Sequence, residues 1–340
     1  MFSTEWIVLE NMYIQKQCIL KVQQGGTIMG TIYTCTMNLA IDLFIETEQL
    51  LPQVVNRTLD DDIQANGKGV NVSLILKMLG IPSTALGFSG GFTGKYIEDF
   101  LSEKHIKNDF VAVNGMTRIN VFTQVNEENK EYKLVNQGPA ISPENVERLL
   151  AKIKTLVPGD FLCVSGSLPK GVQPTVLIEI SKICQEREVK LIIDSSYKEV
   201  RECLQYRPYL IKPNEEELAT LFDVATIAPE DYQKYGQMLI AEGAQNVLLS
   251  LGSEGGIFLN EATCLIANAP KGKVVNTACA GDSLLGTFIA GMVRKEKVSH
   301  TLKRSIAAGS STAFKKGLTD FLDIPELEAQ IHVHRKEVHK

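Results

Sequence analysis

Asp282 stands directly after two small residues and directly before an apolar stretch of helical spacing, in the run Ala280-Gly281-Asp282-Ser-Leu-Leu-Gly-Thr-Phe-Ile-Ala-Gly. A helix starting here aims unpaired backbone N–H groups and the positive end of its dipole at whatever lies before it, so an anion can approach closely. Negative charge building on a transferring phosphoryl group would be stabilised in such a place. A carboxylate in the first turn can take the proton of an attacking hydroxyl. An ordinary aspartate at a helix start has the same local sequence, because the dipole favours it there too. Lys68 is the second candidate. In Asn66-Gly67-Lys68-Gly69-Val70-Asn71-Val72 it is framed by glycines at the entry to a helix, which suits an anionic ligand and equally a plain helix entry. The run Gly87-Phe-Ser-Gly-Gly-Phe-Thr-Gly94-Lys95 is weaker. It lacks the first glycine of a P-loop, has Tyr96 where Ser or Thr should bind magnesium, and carries Ser89 at the first position of G-x-G-x-x-G. A tight strand-to-helix turn accounts for it.

These residues need elements to place them. Strand-like apolar runs cover 31–37, 84–88, 160–165, 189–194, 209–212 and 246–251, with amphipathic stretches near 93–104, 143–156, 172–188, 229–242 and 281–294. That alternation predicts βαβ crossovers and a doubly wound, mainly parallel sheet with helices on both faces. Residues 40–65 and 109–137 break the rhythm: they are extended, alternating and polar-rich, with turns at Asn114-Gly115 and 127–129. They predict a small antiparallel sheet. Ligands of open α/β sheets sit at the carboxyl ends of the strands, so a small sheet over that edge would be a lid.

One α/β domain over 29–323, followed by a C-terminal helix and polar tail over 324–340, accounts for the chain from Met29 onward. Residues 1–28 do not join the pattern, and Gly25-Gly26 can be encoded by a purine-rich ribosome-binding sequence upstream of a start at Met29. A non-native or dispensable extension is the expectation; a real N-terminal arm is the alternative. The tail His332-Val-His-Arg-Lys-Glu-Val-His339-Lys reads as a solvated helical end and not a metal site, since its histidines lie beside cations.

Composition narrows the function class. At 340 residues, 44% apolar and 22% charged, the chain is long enough for a large core. A net charge of -5 offers no basic surplus for nonspecific nucleic-acid binding. Seven cysteines, at 18, 35, 163, 184, 203, 264 and 279, form no C-x-x-C pair, which indicates neither a zinc site nor a dithiol centre. Dispersed cysteines, no secretory pattern and no membrane-spanning run lead to a cytoplasmic expectation with no membrane partner.

The two glycine-framed segments resemble the signatures of the ribokinase-like, or phosphofructokinase B, family of carbohydrate kinases. Further stretches resemble its branch acting on phosphorylated hexoses: Asn38-Leu-Ala-Ile-Asp42, Asn56-Arg57-Thr58, Thr117-Arg118-Ile-Asn120, Ser165-Gly-Ser-Leu-Pro169-Lys-Gly171 and Lys212-Pro-Asn214-Glu-Glu-Glu217-Leu. The resemblance spans about 31–320 and implies a ribokinase-like fold with a small β-sheet lid, and a 1-phosphofructokinase-like activity. On it, Asp282 would be the catalytic base, and Cys279, Ala280 and Gly281 the anion hole. Asp42, Gly67, Asn71 and Asn120 would bind the sugar, and Lys68 and Arg118 its phosphate. Lys212, Ser250, Gly252, Gly255 and Gly309 would face ATP, and Asn214 and Glu217 would serve Mg2+, through water. The implied substrate is fructose 1-phosphate, giving fructose 1,6-bisphosphate, with tagatose 6-phosphate as the alternative. The lid could carry a homodimer contact. Two positions depart from the family pattern, Asn66 and Cys279, each replacing a glycine. They keep open a catalytically weak sugar-phosphate-binding regulator. A positive φ at Cys279 would cost on the order of 1 kcal/mol. Its place at a helix N-terminus would favour a reactive thiolate where the thiol is reachable; a buried, inert cysteine that fills space is the alternative.

Overall fold

A computed structural model describes residues 30–337; the extension expected over 1–28 lies outside the described residues. The chain opens with β1 (Ile32–Thr36), β2 (Ala40–Thr47), β3 (Asp60–Asn66), α1 (Lys68–Met78), β4 (Ser83–Ser89) and α2 (Gly91–Glu103). It continues through β5 (Lys107–Asn108), β6 (Val111–Ala112), β7 (Arg118–Val125), β8 (Lys130–Leu134), α3 (Pro143–Ile153), β9 (Phe161–Ser165), α4 (Thr175–Glu186), β10 (Lys190–Asp194) and β11 (Leu210–Ile211). The last part holds α5 (Glu215–Leu221), α6 (Tyr232–Ala241), β12 (Val247–Ser250), β13 (Gly256–Asn260), β14 (Thr263–Ala267), α7 (Ala280–Val293), α8 (Val298–Ala313), α9 (Ile324–Ala329) and β15 (Val333–Lys336).

An eleven-stranded sheet runs β15-β14-β13-β12-β11-β10-β9-β1-β4-β5, with β6 also on β4. Pairing is parallel from β12 through β1 to β5 and antiparallel from β12 to β15. Successive residues of one strand feed opposite cores: Leu162 and Val164 pack with Leu149 and Ile180, whereas Phe161 and Cys163 pack with Ile75 and Phe288. Helices therefore cover both faces, as the continuous apolar runs predict. Strand order reverses at β1, whose neighbours are β4 and β9, and such switch points open a crevice at the carboxyl edge. Among the described residues, no helix is long and apolar enough to cross a membrane.

The second sheet runs β3-β2-β7-β8. Sequence alternation predicts an antiparallel sheet here, but β2 and β7 are parallel, and only β2–β3 and β7–β8 are antiparallel. The reason is topological: α1, β4, α2 and the short β5 and β6 intervene between β3 and β7. Crossing back from the main sheet lets β7 enter in the direction of β2. Residues 111–112, expected in the lid, pair with β4 of the main sheet instead. The tail is also corrected. Val333–Lys336 is an edge strand on β14, not a helical end, and its His-Arg-Lys sequence suits an edge that must resist further pairing.

Candidate active site

The chain enters α7 through Cys279 at φ 62° and ψ -1°. This is the left-handed region, so the strain foreseen for a residue with a β-carbon is present. The N–H groups of Asp282 and Ser283 turn back to the Cys279 carbonyl at 3.1 and 3.0 Å, and that of Ala280 reaches Thr277 at 3.3 Å. The Gly281 N–H has no partner among the described residues. Lys212 Nζ lies 3.6 Å from where a β-carbon on Gly281 would be. The turn thus presents the amides of Cys279 and Gly281, both unspent among the described residues, beside the buried Lys212 side chain.

Asp282 is buried, and Asn71 Nδ2 donates to its Oδ2 at 2.8 Å. Burial, and then the charge of Asp194, push its pKa up to about 7, against the opposing pull of Asn71, Lys68 and Lys212. A carboxyl in that range suits a proton acceptor at neutral pH. For Cys279, half-buried at this turn, the inert alternative is the one favoured. Burial, with Asp282 and Asp42 acting in the same direction, pushes its thiol up to about 12, so desolvation outweighs the helix dipole.

Asp194 is the residue that sequence reasoning missed. At the carboxyl end of β10 its side chain is wholly buried, and Oδ1 meets Lys212 Nζ at 3.1 Å and Lys68 Nζ at 3.3 Å. Burial alone would raise its pKa, but Lys212 and Lys68 outweigh that and hold it below the ordinary value. Its Oδ2 has no hydrogen-bond partner. Burial likewise pulls Lys68 down, while Asp194, Glu217 and Asp282 push it further up, so it stays an ammonium. The available signal was positional: a carboxylate ending the buried run Leu191-Ile-Ile-Asp194 stands at the edge where ligands bind.

Asn214 and Glu217 turn out to cap α5. Asn214 Oδ1 accepts from the Glu217 N–H at 2.7 Å, and Glu217 Oε2 accepts from the Asn214 N–H at 3.0 Å. The N-x-x-E spacing is therefore also a capping box. The other carboxylate oxygen, Oε1, lies 3.7 Å from Lys68 Nζ and joins the same cluster.

The sugar-side candidates also meet. Asp42 and Asn120 face each other across β2 and β7, and Asn120 Nδ2 donates to Asp42 Oδ1 at 2.8 Å. Asn66 Nδ2 donates to the second oxygen of Asp42. Burial raises the Asp42 pKa despite Asn120, Asn66 and Arg118. Gly67 caps α1 at φ 146°, where an added β-carbon would meet Thr36 Cγ2 at 2.7 Å, so glycine is required. Arg118 begins β7. Its terminal nitrogens donate to the carbonyls of Asn136 and Asn38 at 3.0 and 3.1 Å, Nε is unpartnered, and the guanidinium has no ion pair among the described residues.

On the other side, Ser250 ends β12 and bridges Asn214, and Gly252 and Gly255 bracket a single turn with φ of 47° and 97°. Gly309 packs behind the anion turn. It is buried in α8, where its β-carbon position lies 3.1 Å from the Ala280 carbonyl. It lets α8 support the anion turn from behind.

The family profile of pfkB family carbohydrate kinases matches residues 34–325. A protein named D-tagatose-1-phosphate kinase from Bacillus licheniformis is 48% identical over 303 residues, 89% of this chain and 99% of that one. A 1-phosphofructokinase of Bacillus subtilis is 33% identical over 304 residues, with 89% and 99% covered. Two structures of Escherichia coli phosphofructokinase-2, one with fructose-6-phosphate and one a tetrameric inhibited form, each superpose at a TM-score of 0.81. Each is 27% identical and covers 88% of this chain and 99% of that one. Matched by that family profile over nearly the whole described length, and by relatives 33% and 48% identical across 89% of its sequence, the chain belongs to the pfkB family of carbohydrate kinases and is a sugar-phosphate kinase.

Proposed function

We propose that this kinase transfers the γ-phosphoryl group of ATP to the 6-hydroxyl of a ketohexose 1-phosphate. The observation that carries the reading is the convergence of the Lys68–Asp194–Lys212 cluster and the free Gly281 amide on buried Asp282. Asp282 takes the hydroxyl proton, the oxygen bonds to the γ-phosphorus, and the bond to the bridging oxygen breaks to release ADP. The Gly281 N–H and Lys212 face the charge spread over the transferring oxygens. Lys68, expected from sequence to hold the acceptor phosphate, is engaged by Asp194 and Glu217 and fits the transferring end better. Arg118, free of any ion pair among the described residues, is left for the acceptor phosphate, which it can grip through two nitrogens. Asp42, Asn120, Asn71 and the Gly67 turn hold sugar hydroxyls. Ser250, Gly252 and Gly255 face the nucleotide.

Among the described residues no three acidic, His or Cys side chains are arranged as a metal cage. The residues do fit a magnesium ion that takes most of its ligands from water and phosphate. Asp194 Oδ2 is an orphaned buried oxygen, and Glu217 Oε1 is not used by its cap; these would hold Mg2+, with Asn214 fixing Glu217. Bound there, the ion would neutralise phosphate charge.

The tagatose kinase is named for the 1-phosphate, which replaces tagatose 6-phosphate, the alternative drawn from sequence. Its higher identity puts D-tagatose 1-phosphate first and fructose 1-phosphate, the expectation from sequence, second. A homodimer through the lid belongs to this reading. It is supported by the apolar row Ile63–Leu43–Val121–Leu134 across all four lid strands, whose ends are 49% and 63% exposed. A cytoplasmic setting is supported by the use of ATP and by free thiols at every described cysteine. ADP release with tagatose 1-phosphate, fructose 1-phosphate and the two corresponding 6-phosphates tests the substrate class. Turnover of the 1-phosphates is expected to lead; preference for a 6-phosphate would overturn it.

A further inference from the structure

Asn66 has no role in the mechanism above, yet it touches both halves of the site. Its Oδ1 accepts from the Gly67 N–H at 2.5 Å and from Asn71 Nδ2 at 2.8 Å, while its Nδ2 donates to Asp42. The partners fix its orientation: flipped, its NH2 group would face two donors and its oxygen a carboxylate. Asn71 is held by the same logic. Asp282 Oδ2 and Asn66 Oδ1 each lie 2.8 Å from its Nδ2, and Cys279 Sγ lies at 3.2 Å. An NH2 group has two hydrogens, so the oxygens take them and the sulfur, a poor acceptor, is left over. Without the Asn66 oxygen, only the sulfur would compete for the second hydrogen, and the amide could swing away from Asp282.

The position of Asn66 in the chain matters as much as its contacts. It is the last residue of lid strand β3, paired with Ala40, and it directly precedes the Gly67 cap of α1. Asp42 lies on the lid and Asp282 on α7, and Asn66, at the junction of β3 and α1, reaches the first directly and the second through Asn71. The two departures from the family pattern, Asn66 and Cys279, therefore meet at a single Asn71 nitrogen.

We propose that Asn66 is a positioning residue: it locks the Asn71 amide onto Asp282 and ties that lock to Asp42, so that sugar binding at the lid and the aim of the base are set together. This rests on the reading of Asp282 as base and Asp42 as a sugar ligand. The test is a double-mutant cycle of Asn66→Ala and Asn71→Ala, run with whichever ketohexose phosphate the parent enzyme turns over. Asn66→Ala should lower kcat by about 3- to 10-fold, the scale of one buried hydrogen bond. It should raise KM for the sugar phosphate and leave KM for ATP unchanged. In the Asn71→Ala background the same change should move kcat by less than about 2-fold, because the two act in series. A merely structural Asn66 would lower Tm and give effects on kcat that multiply in full; that result overturns the proposal. Should Asn66→Ala fail to fold, Asn66→Ser is read through the same cycle. Failure of the underlying reading is separately visible. It would appear as 6-phosphate preference in the parent or as retained turnover in Asp282→Asn, neither of which enters the cycle.

Discussion

Asn71 Nδ2 donates to Asp282 Oδ2 at 2.8 Å across 211 positions of sequence, joining the first turns of α1 and α7. The bond favours the ionised carboxylate and opposes the burial that lifts Asp282 to about 7. Asn71→Ala removes it, so the Asp282 pKa should rise further. A general base works only when deprotonated, so the acid limb of the kcat–pH profile should move to higher pH, with the larger loss at pH 6 and the smaller at pH 8.5. An unmoved limb would separate Asn71 from the base.

Asp282 should also cost stability. Its folded pKa lies above its ordinary value, so between about pH 4 and 7 the native state holds more protons than the unfolded chain. Stability from this group is fully present below that window and is lost as pH rises through it, by up to on the order of 4 kcal/mol at about 1.4 kcal/mol per unit. Asp282→Asn removes the buried charge. Its Tm should exceed that of the parent by more at pH 8 than at pH 5. A gain independent of pH would contradict the assignment.

Arg118→Ala should raise KM for the ketohexose phosphate and leave KM for ATP alone. A hydrogen bond to a charged group contributes about 1.5–3 kcal/mol, so kcat/KM should fall by roughly 10- to 150-fold. A free ketose should be affected far less. Equal losses with the phosphorylated and free sugars would place the acceptor phosphate elsewhere.

Cys279→Gly relieves a β-carbon at φ 62°. It should keep or raise kcat, because glycine takes that conformation without strain. With the thiol pushed up to about 12, iodoacetamide at pH 7.5 should leave activity intact over the time in which an ordinary exposed thiol reacts. Rapid inactivation that MgATP prevents would show that the thiol is neither buried enough nor inert.

The main sheet was legible because parallel strands buried on both faces read as unbroken apolar runs, as in Leu191-Ile-Ile before Asp194. The lid strands were legible as alternation, but their directions were not, since parallel pairing of β2 with β7 depends on the crossover between them. The β13–β14 hairpin was missed although Asn260-Glu261 separates two short apolar runs, and β15 was missed because its charges hide an edge strand. Asp282 and Lys68 stood out through their small flanking residues. Asp194 has no local motif. Its role arises only when β10 brings it between two lysines distant in sequence.

The central claim is that Asp282 takes the proton of the attacking hydroxyl. The most direct measurement is single-turnover phosphoryl transfer by Asp282→Asn, with tagatose 1-phosphate or fructose 1-phosphate and MgATP both saturating. The account predicts a rate about 10²–10⁴-fold below the parent, with binding of both substrates retained. A rate within a few-fold of the parent would contradict it.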